Sequence, residues 1–303
     1  MTAASRPLTR NRPASERVIE TLLFLAAAVG VVTTVGIIIV LAIQAADFFA
    51  IVNPIDFLTG TVWAATIEPF RFGVIPLVAG TLMVAGIALL VAIPLGLLAA
   101  IYLAEYASTR VRNLVKPLLE TIAGIPTIVL GFFGLNFITP QLLKPIFGSQ
   151  IGTFNTLAGG LVVGLLVTPL IASLSEDALR AVPRGLREGS MAMGATRFET
   201  ARKVVFPAAL SGVMASIILA LSRAIGETMI VVLATGTSPK LTLNPLESAQ
   251  TMTSFIAQIS GGDTPQGSIQ FKSLFAVALV LFALTLVLNV ISNRIVSKFR
   301  NVY

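Results

Sequence analysis

Six apolar stretches in this sequence are each long enough to cross a lipid bilayer. A spanning α-helix needs about 20 mostly apolar residues, and the stretches cover residues 21–46, 72–104, 121–139, 156–175, 208–236 and 274–292. Charged residues make up 12% of the chain, against roughly 25% in ordinary soluble domains. Because a helix satisfies its own backbone hydrogen bonds in lipid, we predict an all-α, polytopic membrane protein with six transmembrane helices.

Lysine and arginine are distributed unevenly between the segments that connect these stretches. The two tails and the second and fourth connections together hold 16 of the 21 basic residues, and the other three connections hold four. Positive residues concentrate in cytoplasmic segments, so we expect a multi-pass protein of the bacterial inner (plasma) membrane with both termini in the cytoplasm. The net charge of +7 then reflects topology, and we expect no nucleic-acid partner.

The order of stretches and connections gives the expected organisation. It comprises a cytoplasmic N-terminal tail (1–20), a first transmembrane helix (21–46), an outer segment (47–71), a core of five transmembrane helices (72–296) that includes a cytoplasmic region (176–207) and an outer loop (237–273), and a cytoplasmic C-terminal tail (297–303). In the outer segment, Trp63 is typical of an interfacial anchor. Residues 248–260 show apolar side chains at helical spacing, and we expect them to lie against a binding protein or the bilayer surface.

The composition excludes several kinds of active site. The chain has neither cysteine nor histidine, which removes thiolate nucleophiles, zinc–histidine sites and the imidazole base. It also lacks the G-x-x-x-x-G-K-[ST] loop that binds nucleotide phosphates. We therefore expect no catalytic residue, no metal and no cofactor in this chain, and any ATP hydrolysis must occur in another subunit.

The fourth connection carries the signals of two short consecutive helices. Pro183 suits the first turn of a helix and Gly194 suits its end. Thr196 and Glu199 then have the spacing of a capping box, which marks a second helix start. A small, flexible apolar surface typical of a helix that docks into a partner's groove lies between the basic residues. It consists of Met191, Ala192 and Met193.

The stretch EGSMAMGATRFETARKVVFPAAL resembles the signature of ABC-importer permeases, which reads E-A-A, three residues, G, nine residues, I-x-L-P. Glu188, Gly194, Val204 and Pro207 match at the family's spacing. In that family the segment is the cytoplasmic helix that docks on the ATP-hydrolysing subunit.

The departures from the signature are conservative in size and polarity. Gly189 and Ser190 stand where the family has two alanines, and Phe206 stands where it has a leucine. The resemblance thus implies a surface that couples to the ATPase. Its residues are Glu188, Met191, Ala192, Met193, Gly194, Thr196, Glu199 and Pro207.

A wider resemblance covers most of the chain from about residue 72 onwards. The stretches FGVIPLVAGTL, PLGLLAAIYLAEYA and SRAIGET look like the phosphate-specific permeases of the Pst importer, and the C-terminal stretch from AQISGGD onwards looks more like PstC than PstA. This implies the type I ABC-importer permease fold. It also implies three partners: a PstA-like permease, a PstB-like ATPase dimer that binds ATP and Mg²⁺, and a PstS-like phosphate-binding protein.

Arg223 and Glu227 lie inside the fifth apolar stretch, where a charge costs roughly 2.5–3.5 kcal/mol at the bilayer centre. Counted from residue 209, Arg223 is roughly 21 Å along a helix that rises about 1.5 Å per residue, and we expect Glu227 one turn further on the same face. Either the two charges neutralise each other for insertion, or they contact a transported anion. The resemblance implies the second role, since this R-x-x-x-E pair is transport-critical in Pst permeases.

Chemistry supports the same role for the pair. A guanidinium presents donors that match the oxygens of phosphate, and Glu227 would compete for these donors so that the anion can leave. Another oxyanion such as sulfate or molybdate remains an alternative substrate. A secondary transporter, in which Glu227 carries a proton, is a second alternative. Glu120 is expected to be an interfacial charge at the start of the third span.

Overall fold

The computed structural model describes residues 14–298. Most of the expected N-terminal tail and the end of the C-terminal tail, with Arg6, Arg10, Arg12 and Arg300, lie outside the described residues. In chain order the elements are α1 Ala14–Phe49, α2 Pro54–Thr59, β1 Trp63–Ala64, β2 Arg71–Phe72, α3 Ile75–Tyr106, α4 Thr109–Ala123, α5 Thr127–Gln150, α6 Thr156–Ala181, α7 Arg184–Ala192, α8 Arg197–Ala208, α9 Leu210–Ile225, α10 Val231–Thr235, α11 Met252–Gly261 and α12 Ile269–Lys298.

The described helices confirm the predicted all-α membrane fold. Within residues 14–298, five helices are long and apolar enough to cross a membrane: α1, α3, α5, α6 and α12. The pair α8 and α9 would supply a sixth span, although the two helices are bent by 71° at their junction. Helix α1 packs on α12, and its most apolar window has no buried residue, as expected for a helix that faces lipid.

The centre of the fold is the long contact between α3 and α6. Two glycines of α6 make this contact close: a Cβ atom at Gly160 would lie 2.6 Å from Ile87, and one at Gly164 would lie 2.9 Å from the Ala88 carbonyl oxygen. Small residues four apart allow helix backbones to approach in this way. Gly160 and Gly164 thus allow α6 to pack closely against α3.

The third span does not begin where the apolar stretch begins. Residues 121–123 end the amphipathic helix α4, for which Gly124 is the C-cap, and α5 begins after Pro126. A residue that precedes proline is disfavoured in helical conformation, which explains the break. The span then continues past Thr139 to Gln150, and its residues Gly134–Leu143 are π-helical.

The outer segment folds into a small cap on the membrane helices. Strands β1 and β2 pair in antiparallel fashion, and Trp63 is 3% exposed. Its ring contacts those of Phe57, Phe72 and Phe255 edge to face, with centroid separations of 6.3, 5.9 and 4.8 Å. The prediction that Trp63 is an interfacial anchor is wrong, because the hairpin and α11 together bury the indole inside the protein.

Candidate functional site

The fifth apolar stretch, residues 208–236, is broken at the position of its two charged residues. We call this stretch the fifth span. Helix α9 ends at Ile225 with Gly226 as its C-cap, and Glu227 and Thr228 are not helical. The chain becomes helical again at Met229 and continues into α10. The expectation of one helix over residues 208–236, with Glu227 one turn beyond Arg223, is therefore wrong.

The break nevertheless brings Arg223 and Glu227 to the same cavity, which has a volume of about 540 Å³. The lining residues are Leu170, Leu219, Ser222, Arg223, Gly226 and Glu227. Arg223 is exposed in this chain, and within residues 14–298 its guanidinium has no hydrogen-bond or ion-pair partner. The mutual neutralisation of Arg223 and Glu227, which was the alternative to contact with an anion, is thus not formed among the described residues. A guanidinium with free donors beside a membrane helix break can bind an oxyanion.

Glu227 is held by contacts on both sides of the break. Its side chain is largely buried, with 7% of the residue exposed, and its carboxylate accepts a hydrogen bond of 3.4 Å from the amide of Ile230. Its own amide donates to the carbonyl of Ala224 at 3.4 Å. Its carbonyl oxygen accepts a hydrogen bond of 2.7 Å from the hydroxyl of Thr253. Sequence reasoning missed Thr253, since this contact joins residues that are 26 positions apart.

Helix α11, which supplies Thr253, lies inside the protein. The expectation that residues 248–260 lie against a binding protein or the bilayer surface is wrong. Met252, Ser254, Phe255 and Ile259 are buried, and α11 packs against α12 and α3. The apolar side chains at helical spacing are real, but they face the protein core. A pattern of this kind does not identify which surface covers it.

The fourth connection forms the two helices that its sequence predicts. Helix α7 ends at Ala192, and Gly194 has φ +86°. Residues with a Cβ atom rarely adopt this backbone conformation. Helix α8 begins with the predicted capping box, in which the Glu199 amide donates to the Thr196 hydroxyl at 3.3 Å and the Thr196 amide donates to the Glu199 carboxylate at 3.0 Å.

We call helices α7 and α8, with the turn at Gly194 between them, the elbow. Most of the residues expected to couple to an ATPase lie together on it. We call the coupling surface the exposed set Glu188, Met191, Ala192, Met193, Gly194 and Thr196, with the half-buried Glu199. Met193 is 89% exposed, and Phe198, which sequence reasoning missed, adds a ring that is 62% exposed. Pro207 lies at the other end of α8, eleven residues or about 16 Å from Thr196. It precedes the bend into α9 and is not part of this surface.

Arg187 fastens the elbow to the membrane helices, a role that the sequence did not reveal. Its guanidinium donates to the carbonyl oxygens of Val182 at 2.6 Å and Leu179 at 2.7 Å, and to the carboxylate of Glu105 at 3.0 and 3.2 Å. Leu179 lies in the last turn of α6 and Val182 is its C-cap, where carbonyl groups lack partners within the helix. Glu105 lies in the last turn of α3. In the sequence, Arg187 is one of several arginines that indicate only topology.

A second ionic cluster attaches α4 to the C-terminal end of α6. Glu176 is fully buried and accepts hydrogen bonds from Arg112 at 2.7 Å and Lys116 at 2.8 Å, and Lys116 also contacts Asp177. Burial opposes the charged form of Lys116, but its hydrogen bonds to Asp177 and Glu176 outweigh this effect and raise its pKa. The expected cytoplasmic region 176–207 therefore begins inside α6, which continues to Ala181.

Glu120 belongs to α4 and not to the third span. Its carboxylate accepts a hydrogen bond of 3.3 Å from Ser173 on α6. Helix α4 thus contacts α6 through charged and polar side chains, and no residue of α4 is buried.

Comparison with known proteins places this architecture in a defined class. The family model described as the binding-protein-dependent transport system inner membrane component matches residues 92–301. The chain belongs to this family and is a multi-pass permease of the ABC-transporter type.

Three named relatives resemble the chain over most of its length, and two of them are named as phosphate permeases. The chain is 35% identical to the probable ABC transporter permease protein YqgH of Bacillus subtilis over 270 residues, which cover 87% of this chain and 86% of the relative. It is 31% identical to the phosphate transport system permease protein PstC of Haemophilus influenzae, over 81% and 82% of the two chains. Its identity to the probable PstC of Methanocaldococcus jannaschii is 32%, over 81% and 82%.

Solved structures support the same fold. A bacterial alginate ABC transporter matches with a TM-score of 0.64 at 16% identity, over 92% of this chain and 94% of that one. The MetNI methionine ABC transporter matches with a TM-score of 0.56 at 22% identity, over 75% and 94%. These matches confirm the expected type I ABC-importer permease fold.

Proposed function

We propose that this chain is the transmembrane permease subunit of an ATP-driven importer of inorganic phosphate. The named phosphate permeases of H. influenzae and M. jannaschii resemble it over about four fifths of its length. The observation that carries the proposal is the broken fifth span, which leaves the Arg223 guanidinium free of partners among the described residues and beside Glu227 in a common cavity.

The arrangement suits an anion that must bind and then leave. Arg223 offers several N–H donors to phosphate oxygens, and the low dielectric of the membrane strengthens this attraction. Two features oppose tight binding of phosphate. Arg223 lies in the last turn of α9, where helix carbonyl groups carry partial negative charge. The negative charge of the Glu227 carboxylate also repels the phosphate. Phosphate therefore binds transiently, as transport requires.

The coupling surface receives the movement of a separate ATPase, which binds ATP and Mg²⁺. Its exposed methionines suit a groove on that partner. Arg187 connects the surface to the ends of α3 and α6, and a hydroxyl pair of 2.9 Å between Ser190 and Thr200 connects it to α8 and hence to α9. Closure of the ATPase would thus reach the helix that carries Arg223.

The complete importer contains partners that this chain must contact. We infer a PstA-like permease that closes the exposed side of the cavity, a PstB-like ATPase dimer below the coupling surface and a PstS-like phosphate-binding protein above the outer cap. The chain lies in the bacterial inner membrane and contacts lipid, with both termini in the cytoplasm. It needs no catalytic residue, metal or cofactor of its own.

The test compares Arg223→Ala with Arg202→Ala in the complete complex reconstituted into proteoliposomes. Arg202 is an exposed arginine of α8 and serves as the control. We expect Arg223→Ala to reduce ATP-dependent uptake of labelled phosphate by at least about 100-fold, because the loss of a charged hydrogen-bonding partner costs about 1.5–3 kcal/mol per bond. Recovery of the ATPase with the complex should not change. Uptake by Arg223→Ala within twofold of the unmodified complex would refute the proposal.

Two additions to the same assay separate the alternatives. Excess unlabelled sulfate or molybdate should leave phosphate uptake unchanged, and strong competition would favour the other oxyanion. Collapse of the proton gradient with an ionophore should also have no effect, since the proposal assigns the driving force to ATP. Uptake that follows the gradient would support the secondary transporter.

A further inference from the structure

Helix α11 connects the outer cap of the protein to the break in the fifth span. Its first turn carries Thr253, whose hydroxyl donates to the Glu227 carbonyl oxygen at 2.7 Å. In an unbroken helix that oxygen would accept from the amide four residues later. Unsatisfied backbone groups are costly in a membrane, so the Thr253 hydroxyl replaces the hydrogen bond that the break removes. Thr253 is 6% exposed, which excludes most competing water.

The position of Thr253 is fixed by the start of its own helix. The Ser254 amide donates to the Thr251 hydroxyl at 3.1 Å, and the Thr251 amide donates to the Ser254 hydroxyl at 3.0 Å. This capping box satisfies amides that the first helical turn leaves free. The helix start therefore orders the backbone that holds Thr253, and the hydroxyl groups of Thr251 and Thr253 share a further hydrogen bond of 3.0 Å.

Helix α3 fixes the same turn from the opposite side. The Met252 amide donates to the buried hydroxyl of Thr81 at 3.0 Å. A Cβ atom at Gly80 would lie 2.4 Å from the carbonyl oxygen of Gln250, so a glycine is required for this approach. Thr253 is thus placed between α3 and the broken span.

The body of α11 packs into the outer cap. Phe255 contacts the Trp63 ring at a centroid distance of 4.8 Å, and Met252 and Ile259 belong to the same buried cluster. The helix ends at Gly261, and Gly262 and Asp263 after it are exposed. One short helix therefore runs from the outer surface to the backbone of a residue in the candidate site.

We propose that Thr253 is a positioning residue for transport. Its hydroxyl holds the Glu227 carbonyl, keeps the segment from Gly226 to Thr228 out of helical conformation and so directs the Glu227 carboxylate towards the Arg223 cavity. Without this bond the segment rewinds towards a continuous helix, the carboxylate leaves the cavity, and Arg223 retains phosphate for longer. The inference rests on the proposed function, since it requires an anion that Arg223 binds.

The experiment measures phosphate uptake by the reconstituted complex at several phosphate concentrations. Thr253→Val removes the hydroxyl with little change of shape, and Thr253→Ser retains it. Thr235→Val is the matched control, because the buried Thr235 hydroxyl has no hydrogen-bond partner in the described structure. A buried group left without its hydrogen bond corresponds to a change of about tenfold. We expect Thr253→Val to lower Vmax about tenfold and to lower KM as well, while Thr253→Ser and Thr235→Val stay within about twofold of the unmodified complex.

A purely structural role would lower complex yield and Vmax together without lowering KM, and this result would overturn the proposal. An unchanged Vmax in Thr253→Val would overturn it equally. If Thr253→Val does not assemble, Thr253→Ala replaces it, and failure of both variants to assemble assigns Thr253 to folding only and rejects the positioning role. Arg223→Ala is measured in parallel: if that variant transports normally, the proposed function fails, whereas loss of transport there with normal Thr253→Val kinetics rejects this inference alone.

A cysteine reporter provides a second readout, since the chain has no cysteine of its own. Gly226→Cys places a thiol on the exposed surface of the cavity. In the Thr253→Val background we expect the rate of its reaction with a small charged thiol reagent to change severalfold, and in the Thr253→Ser background to stay the same. Equal rates in the three backgrounds would show that the hydroxyl does not control the break.

Discussion

Removal of the Arg187 side chain should separate ATP hydrolysis from transport. The guanidinium makes four hydrogen bonds that join α7 to the ends of α3 and α6. Arg187→Ala would leave the Glu105 carboxylate and the two carbonyl groups of α6 without this partner. The change removes the contacts between α7 and the ends of α3 and α6, but it does not alter the exposed residues of the coupling surface.

The magnitude follows from burial and charge. Removal of one partner from a buried ion pair costs about 3–5 kcal/mol. The side chains of Arg187 and Glu105 are 17% and 11% exposed, so the lower end of that range applies. If phosphate uptake requires the Arg187 contacts, a cost of about 3 kcal/mol corresponds to about a 100-fold lower uptake rate. The double variant Arg187→Gln with Glu105→Gln leaves no unpaired carboxylate, and we expect it to recover about tenfold of the loss.

The assay records ATP hydrolysis and phosphate uptake in the same proteoliposomes. We expect Arg187→Ala to retain ATPase activity within about threefold while uptake falls about 100-fold. Arg202→Ala, an exposed arginine on the neighbouring helix, should change neither quantity. If uptake and hydrolysis fall in parallel, or if uptake is unchanged, Arg187 does not transmit movement and the reasoning is refuted.

Two further predictions concern the elbow. The double variant Met191→Ala, Met193→Ala should reduce recovery of the ATPase with the permease at least about tenfold, because it removes exposed apolar contact area; Leu243→Ala, at an exposed site of the outer loop, is its control, and equal recovery for both would exclude the methionines from docking. Gly194→Ala should lower uptake about tenfold, since a left-handed conformation costs a residue with a Cβ atom roughly 1–2 kcal/mol. Gly189→Ala, which meets open space in α7, should be neutral, and identical behaviour of the two glycine variants would count against the positive-φ turn.

The sequence predicted those features that depend on local chemistry. Long apolar stretches gave the spans, because crossing a membrane requires a fixed length of apolar helix. Gly194 and the capping box of Thr196 and Glu199 predicted the two helices of the elbow, since helix ends need particular residues at particular spacings. Arg223 and Glu227 were identified because ionisable residues are rare in such stretches.

The remaining features depend on contacts between distant parts of the chain. The break after Ile225 lies in an apolar run without proline, and its hydrogen bond comes from Thr253. Trp63 has the same local sequence whether it anchors a surface or fills a core, and only Phe255, far along the chain, decides between them. Arg187 lies among other arginines, so its partner Glu105 could not be deduced from spacing.

The glycine contact between α3 and α6 limits where the protein can change shape. Two helices whose backbones touch at Gly160 and Gly164 have little freedom to slide, because each shift would drive a side chain into a peptide group. We therefore expect α3 and α6 to move as one rigid unit together with the elbow that Arg187 attaches to them. We then expect movement mainly along the border between α6 and α9, where the hydroxyl groups of Ser175 and Ser216 share a hydrogen bond of 2.7 Å.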